Sequence, residues 1–175
     1  MKDWMKKIEE IKLPRWDELP DLALYLDQVL EYVNEKICDV FIKHSETKDK
    51  ILTSSMINNY VKNNMMPAPI KKKYHKDHIA FIITITILKQ VANLSDVSDG
   101  IKHLTTVLGK VAAYDAFITF LENALKASVL ELEQKENNNP ISQPVEIDLL
   151  PLKTATIAFA SIMMSQYLLK KLKRT

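Results

Sequence analysis

The sequence predicts an all-α protein, and three observations carry that expectation. From Val111 the positions Tyr114, Ile118, Leu121, Leu125, Ser128 and Leu132 step three and four residues in alternation, a coiled-coil-like seam of about three heptads with one polar defect. Leu22, Leu26, Val29, Val33, Ile37 and Val40 recur at the same steps earlier in the chain. The segments between such stripes open on cap residues, Thr53-Ser54-Ser55 and Asn93-Leu94-Ser95-Asp96, and close on breakers, Met66-Pro67-Ala68-Pro69 and Asn137-Asn138-Asn139-Pro140.

The 175 residues allow one compact domain with a full core, or two small ones sharing an interface. Hydrophobic residues make up 47% and charged residues 26%, a balance that a folded globular chain has and a disordered one lacks. Only Gly100 and Gly109 are glycine. Phosphate-cradling loops, dinucleotide fingerprints and nucleophile elbows need several glycines, so the common nucleotide-dependent enzymes are excluded. The single cysteine, Cys38, excludes a disulfide framework, and the charged start Met1-Lys2-Asp3-Trp4-Met5-Lys6-Lys7 precedes no apolar leader run. A cytoplasmic protein is expected. The apolar stretches 79–88 and 155–169 are shorter than the ~20 residues that span a bilayer, and both are expected to be buried helices, with no membrane partner.

Element by element, Pro14 and Pro20 bracket a rigid connector that tucks Trp16 against the core. Asp21 caps an amphipathic helix over about 21–43, with Cys38 as small filler beside its stripe, and 44–50 is a polar loop. A short helix over about 54–63 follows. Residues 70–74 run extended as a wing strand, and helix resumes at Asp77 and continues to about Val91. The β-branched run Ile82-Ile83-Thr84-Ile85-Thr86-Ile87 fits a strand as well as a helix, and length and context favour helix. One helix ends near Gly109 and a longer one carries the seam, widened by Phe117, Phe120, Ala124 and Ala127. The last, about 152–173, is apolar nearly all round from Ala155 to Met164, which demands burial on several sides by the bundle or by a second subunit.

The charge is local. Residues 51–78 carry Lys62, Lys71, Lys72, Lys73 and Lys76 against Asp77, a net +4, which leaves −2 for the rest of a chain whose total is +2. A basic island in a mildly acidic protein suits an anionic partner at one face, or else a solvated loop. The short helix strengthens the first alternative. Ile57, Tyr60, Val61 and Met65 share its inner side, while Ser55, Asn58, Asn59 and Lys62 line the outer side without a carboxylate. Asparagine can pair bidentately with adenine, and serine and lysine reach phosphates or base edges, so the face suits a major groove; an ordinary solvated helix face would have the same pattern.

The stretch Ser55-Met56-Ile57-Asn58-Asn59-Tyr60-Val61-Lys62-Asn63-Asn64-Met65-Met66-Pro67, followed by Lys73-Tyr74-His75-Lys76-Asp77-His78-Ile79, resembles the DNA-binding half of MerR-type regulators. Tyr60 matches the aromatic that ends the recognition helix, Asn64 the turn glycine, Met65-Met66-Pro67 the apolar turn, and Tyr74 the tyrosine after the wing. Leu94-Ser95-Asp96-Val97 resembles the segment leading into that family's next helix. Asn58-Asn59 stands where the family has Arg-Tyr, the wing is shorter and carries lysines for arginines, and the family's first helix has no clear counterpart before Thr53. Over a longer span, Leu24-Tyr25-Leu26-Asp27-Gln28-Val29, the stretch 52–62, Lys72-Lys73-Tyr74 and His78-Ile79-Ala80 closely resemble a bacterial family of unknown function, the YkrK-like group.

The resemblance implies a MerR-like winged helix-turn-helix with a short wing, embedded in a multi-helix bundle: N-terminal helices at 1–50, the winged-helix region at 51–109 and long helices for dimerisation or signal binding at 110–175. The recognition helix is expected at about 54–63 and the wing at about 69–75. Double-stranded DNA is the expected partner, contacted by Ser54, Ser55, Asn58, Asn59, Tyr60, Lys62, Lys71, Lys72, Lys73, Tyr74, His75 and Lys76. A homodimer is expected through Tyr114, Ile118, Leu121, Leu125 and Leu132, and a small-molecule effector of unknown kind fits such a regulator. The alternative is a helical interaction or ligand-sensing module without DNA binding. No cofactor, metal or catalytic residue is expected. His75, Asp77 and His78 have ligand spacing but lack a third and fourth partner, and the paired carboxylates Glu9-Glu10, Asp17-Glu18 and Glu131/Glu133 lie in solvated contexts beside no nucleophile.

Overall fold

The computed structural model describes residues 2–42, 50–135 and 142–173, with side chains from Trp4 onward. Within them the chain forms α1 (Lys2–Glu9), α2 (Leu26–Ile37), α3 (Ser54–Lys62), α4 (Lys76–Leu88), α5 (Leu94–Leu108), α6 (Lys110–Leu132) and α7 (Leu150–Leu172), with single 3₁₀ turns at Trp16–Glu18 and Ile147–Leu149. Extended pairing among the described residues amounts to two isolated antiparallel bridges. The protein is all-helical, as its periodicities require. Most of the polar loop at 44–50 and the breaker Asn137-Asn138-Asn139-Pro140 lie outside the described residues.

α4 is the hub. Its β-branched run is a helix because it is enclosed: α2, α5, α6 and α7 all pack on it, and every residue from Ile82 to Leu88 is buried. A helix that is apolar all round has no other stable place. Long α6 packs along α7 and supports α1 and α5, with Phe117, Ile118, Leu121, Leu125 and Val129 in the core. Asn93 caps α5, its Oδ1 accepting the Asp96 N–H at 2.9 Å, and Gly109 ends it at φ 80°, where α6 departs after a bend of 119°. That positive φ favours glycine.

Two helices differ from expectation. The N-terminal stripe is not continuous, because α2 starts at Leu26 and stops at Ile37, and Leu22 is 80% exposed. Leu24 is extended, exchanging backbone hydrogen bonds with Tyr74, so Asp21 caps nothing and helix begins only after Tyr25, whose N–H is accepted by Gln28 Oε1 at 2.9 Å. In α7 the buried residues Leu152, Lys153, Thr156, Phe159, Ala160, Met163 and Tyr167 lie on one face, and Leu168, Leu169 and Leu172 are exposed. The bundle covers one side of this apolar helix, not several. Joined to its preceding 3₁₀ turn, the segment Ile147–Leu172 is long and apolar enough to cross a membrane, with one third of its most apolar window buried in the protein.

The connector between Pro14 and Pro20 is clamped onto α6. Arg15 donates to the Asp115 carbonyl, to Thr119 Oγ1 and, from Nη2, to Glu122 Oε2 at 3.0 Å. The Leu13 N–H reaches Glu122 Oε1 at 2.6 Å, the Trp16 N–H reaches Asp115 Oδ1 at 2.8 Å, and Tyr114 Oη donates to the Pro14 carbonyl at 3.0 Å. Burial pushes the Tyr114 hydroxyl's pKa well above the ordinary phenol value, so it remains a donor. Trp16 packs half-buried against the core beside Tyr114.

Candidate functional site

α3 forms where the sequence places it because each end is locally specified. Thr53 is the cap, its Oγ1 accepting the Met56 N–H at 3.4 Å. At the other end Asn64 is left-handed at φ 55°, with the Asn64 N–H bonded to the Val61 carbonyl and the Met65 N–H to the Tyr60 carbonyl. This is the arrangement a glycine usually supports, so Asn64 does occupy a turn-glycine position. The helix is divided as expected. Ile57 and Tyr60 are buried, and Ser54, Ser55, Asn58, Asn59 and Lys62 are exposed. Asn59 Oδ1 accepts from Asn63 Nδ2 at 2.7 Å, which leaves Asn58 the freer of the two amides.

The following segment reverses on itself instead of running extended from 70 to 74. Ile70 and Lys73 exchange backbone hydrogen bonds at 3.0 and 2.9 Å, and the two residues between them, Lys71 and Lys72, have φ of 49° and 63°. Positive φ at both central residues is what a tight hairpin of this twist requires, and Asn-Gly is its usual solution. Two consecutive lysines there hold a strained backbone at an exposed tip. Tyr74 then pairs with Leu24 through hydrogen bonds of 2.8 and 2.9 Å, fastening the hairpin to the strand-like entry of α2. Lys73 is half-buried, its Nζ 5.1 Å from the centre of the Tyr25 ring.

The charges divide into free and committed. Lys62, Lys71 and Lys72 are exposed and make no ion pair among the described residues. Lys76 is paired with Asp21 at 2.5 Å, so its charge is compensated within the protein and it is not the free contact expected. Tyr60 and Tyr74 are 1% and 4% exposed and cannot touch a duplex; they support the surface from below. His75 is exposed. His78, by contrast, is buried with Nδ1 accepting the His75 N–H at 3.0 Å and Nε2 facing the Ala68 carbonyl at 3.1 Å. The first bond makes Nε2 the protonated nitrogen, so this histidine tethers the proline-rich turn to the start of α4 and adds no charge. Among the described residues no three histidine, cysteine or acidic side chains come together as a metal group.

Asp77, in the first turn of α4, is held below the usual carboxylate range mainly by its hydrogen bond from Lys110, at 2.5 Å. A lowered folded-state value means stability that is present above the unfolded carboxyl's pKa of ~3.9 and is lost as pH falls through the folded one. Asp77→Asn should therefore lower the melting temperature at neutral pH, and the two melting curves should converge at the acid end. A constant difference across the titration would show that the pair contributes nothing.

The seam assigned to dimerisation is occupied. Tyr114, Ile118, Leu121 and Leu125 are buried against the chain's own helices, and Leu132 packs partly buried on the same core. The heptad-like spacing is met by packing within the bundle. The Arg15–Glu122 clamp was missed altogether. Its one signal is a lone acid, Glu122, on the apolar side of a long helix, which needs a cation from elsewhere.

In this all-helical protein the proline-bracketed clamp, α2, the α3 surface, the two-lysine hairpin and helices α4 to α6 follow one another along the chain. The chain belongs to the family described as domain of unknown function DUF1836, whose model matches residues 14–136. The match starts at the clamp and reaches past the end of α6, leaving α1 and α7 outside it. The chain matches no curated protein. It matches no solved structure.

Proposed function

We propose that this protein is a DNA-binding transcriptional regulator of MerR-like, winged-helix type, with α3 as its recognition helix and the Lys71–Lys72 hairpin as its wing. The observation that carries the proposal is the hairpin tip: two adjacent lysines, exposed and in no ion pair among the described residues, kept in a left-handed backbone that glycine or asparagine would occupy with less strain. The carboxylate-free outer face of α3, with Asn58 free to reach a base edge, supports the same function. So does the likeness of Tyr60, Asn64 and Tyr74 to the MerR pattern, with the two tyrosines acting as packing residues.

The test is salt dependence of duplex binding, starting with DNA from the protein's own promoter region. Each phosphate neutralised contributes roughly 0.9 to the slope of log K against log salt, so Lys71→Ala/Lys72→Ala should flatten it by about 1.8. Adding Lys73→Ala should change the slope little more, because that ammonium already lies over Tyr25. Asn58→Ala should leave the slope unchanged and cost about 1–3 kcal/mol of discrimination between sequences. If no duplex is bound, or neither change alters binding, the proposal fails. A helical interaction module would then be the better account, since the exposed Leu168, Leu169 and Leu172 of α7 and the loss of the Arg-Tyr pair favour it.

A further inference from the structure

A cavity of about 430 Å³ opens between α4, α5, α6 and the start of α7. Its size lies in the ~300–1,000 Å³ range of small-molecule sites. Four aromatic side chains, Trp16, Phe81, Tyr114 and Phe117, contribute to its lining, with Leu88, Leu104 and Leu152 among its aliphatic residues. The lining also includes Asp77, Asp96, Asp99 and Asp148, against Lys110 and His103. Lys110 is taken up by Asp77, and His103 Nε2 lies 2.9 Å from Asp148. Asp99 faces Lys102 at 3.7 Å and Asp96 accepts from the Asn93 amide at 2.6 Å, which leaves Asp96 without a cation among the described residues and the wall slightly negative, a balance that disfavours an anion.

Gly100 supplies the independent observation. It sits inside α5, where glycine weakens a helix relative to alanine, and it lines this cavity. A Cβ built there meets nothing within 4 Å, and its φ is not in the left-handed region, unlike that of Gly109. Neither the backbone nor the packing of the protein requires this glycine. Gly100 is itself exposed, so the open space beside it lies at the cavity's solvent-facing rim, where a larger side chain would narrow the entrance.

We infer that this cavity is a binding site for an aromatic small molecule that is uncharged or carries an amine, its ring held among Trp16, Phe81, Tyr114 and Phe117 and its polar end directed to the aspartates. The inference does not depend on DNA binding, and its test involves none. Trp16 is in the lining, whereas Trp4, the other tryptophan, stacks on Tyr167 at the far end of α7. In the full-length Trp4→Phe protein, Trp16 is the only indole and its fluorescence reports on the site.

Three isosteric probes separate the chemistry: 2-naphthylmethanol, 2-naphthylmethylamine and 2-naphthoate. The alcohol and the amine are expected to change Trp16 fluorescence saturably with one site per chain, and the carboxylate to bind about fivefold more weakly or worse, since like charges at contact distances repel. Gly100→Leu, which keeps a good helix former in α5, should abolish binding while circular dichroism is unchanged. Gly100→Ala should raise the melting temperature of the free protein and weaken the alcohol severalfold, and it keeps the test open if the leucine variant does not fold. Absence of saturable binding by all three probes, equal binding of the carboxylate, or unweakened binding by the Gly100 variants would overturn the inference.

Discussion

Arg15→Met is expected to destabilise the protein by about 3 kcal/mol, the lower end of what breaking a buried ion pair costs. The Glu122 side chain is only 10% exposed, and without Arg15 its carboxylate keeps one partner among the described residues, the Leu13 N–H. Arg15 itself is 34% exposed, so the reverse loss, Glu122→Gln, leaves a cation that water can reach and should cost less. The double variant Arg15→Met/Glu122→Gln should recover part of the Arg15→Met loss, because the uncompensated charge is gone while an acceptor for Leu13 remains. Urea unfolding of the four proteins completes the cycle. A cost below about 1 kcal/mol for Arg15→Met would put the pair in the class of surface salt bridges and remove the clamp as a source of stability.

Leu121→Ala should cost roughly 2–5 kcal/mol, the range for emptying a buried leucine site. Leu121 is fully buried in the chain's own bundle, so the loss should appear in the unfolding transition and not in the sedimentation coefficient. The opposite result, a folded protein of unchanged stability and smaller assembly, would restore the seam as an interface. Tyr114→Phe makes a milder companion, removing only the hydroxyl that holds the Pro14 carbonyl. A hydrogen bond of this kind is worth about 0.5–1.5 kcal/mol.

Features set by neighbours in sequence were legible in advance. The Thr53 cap, the division of α3 into two faces, the left-handed Asn64, the Asn93 cap and the break at Gly109 each depend on a few consecutive residues. The exposed lysines of the candidate site were legible for the same reason. The partners of Lys73 and Lys76 were not, because Tyr25 and Asp21 arrive from about fifty residues upstream. Tyr60 and Tyr74 show the same divide: their positions in the motif could be read, but whether each faces solvent or core depended on packing.

By itself, then, the sequence determined an all-helical chain, its breaks, and a basic, carboxylate-free surface around α3, since periodicity, capping and local charge are properties of short segments. Tertiary structure decided where each stripe is spent. A coiled-coil-like spacing is equally satisfied by a second subunit or by the chain's own helices, and α6 meets its own. Pairing of Leu24 with Tyr74 delayed the start of a helix that its apolar stripe would have begun earlier, because a backbone bonded across fifty residues cannot also bond four residues along. The cavity beside Gly100 exists only as the space left when α4, α5, α6 and α7 meet, and a glycine within one helix does not by itself announce it.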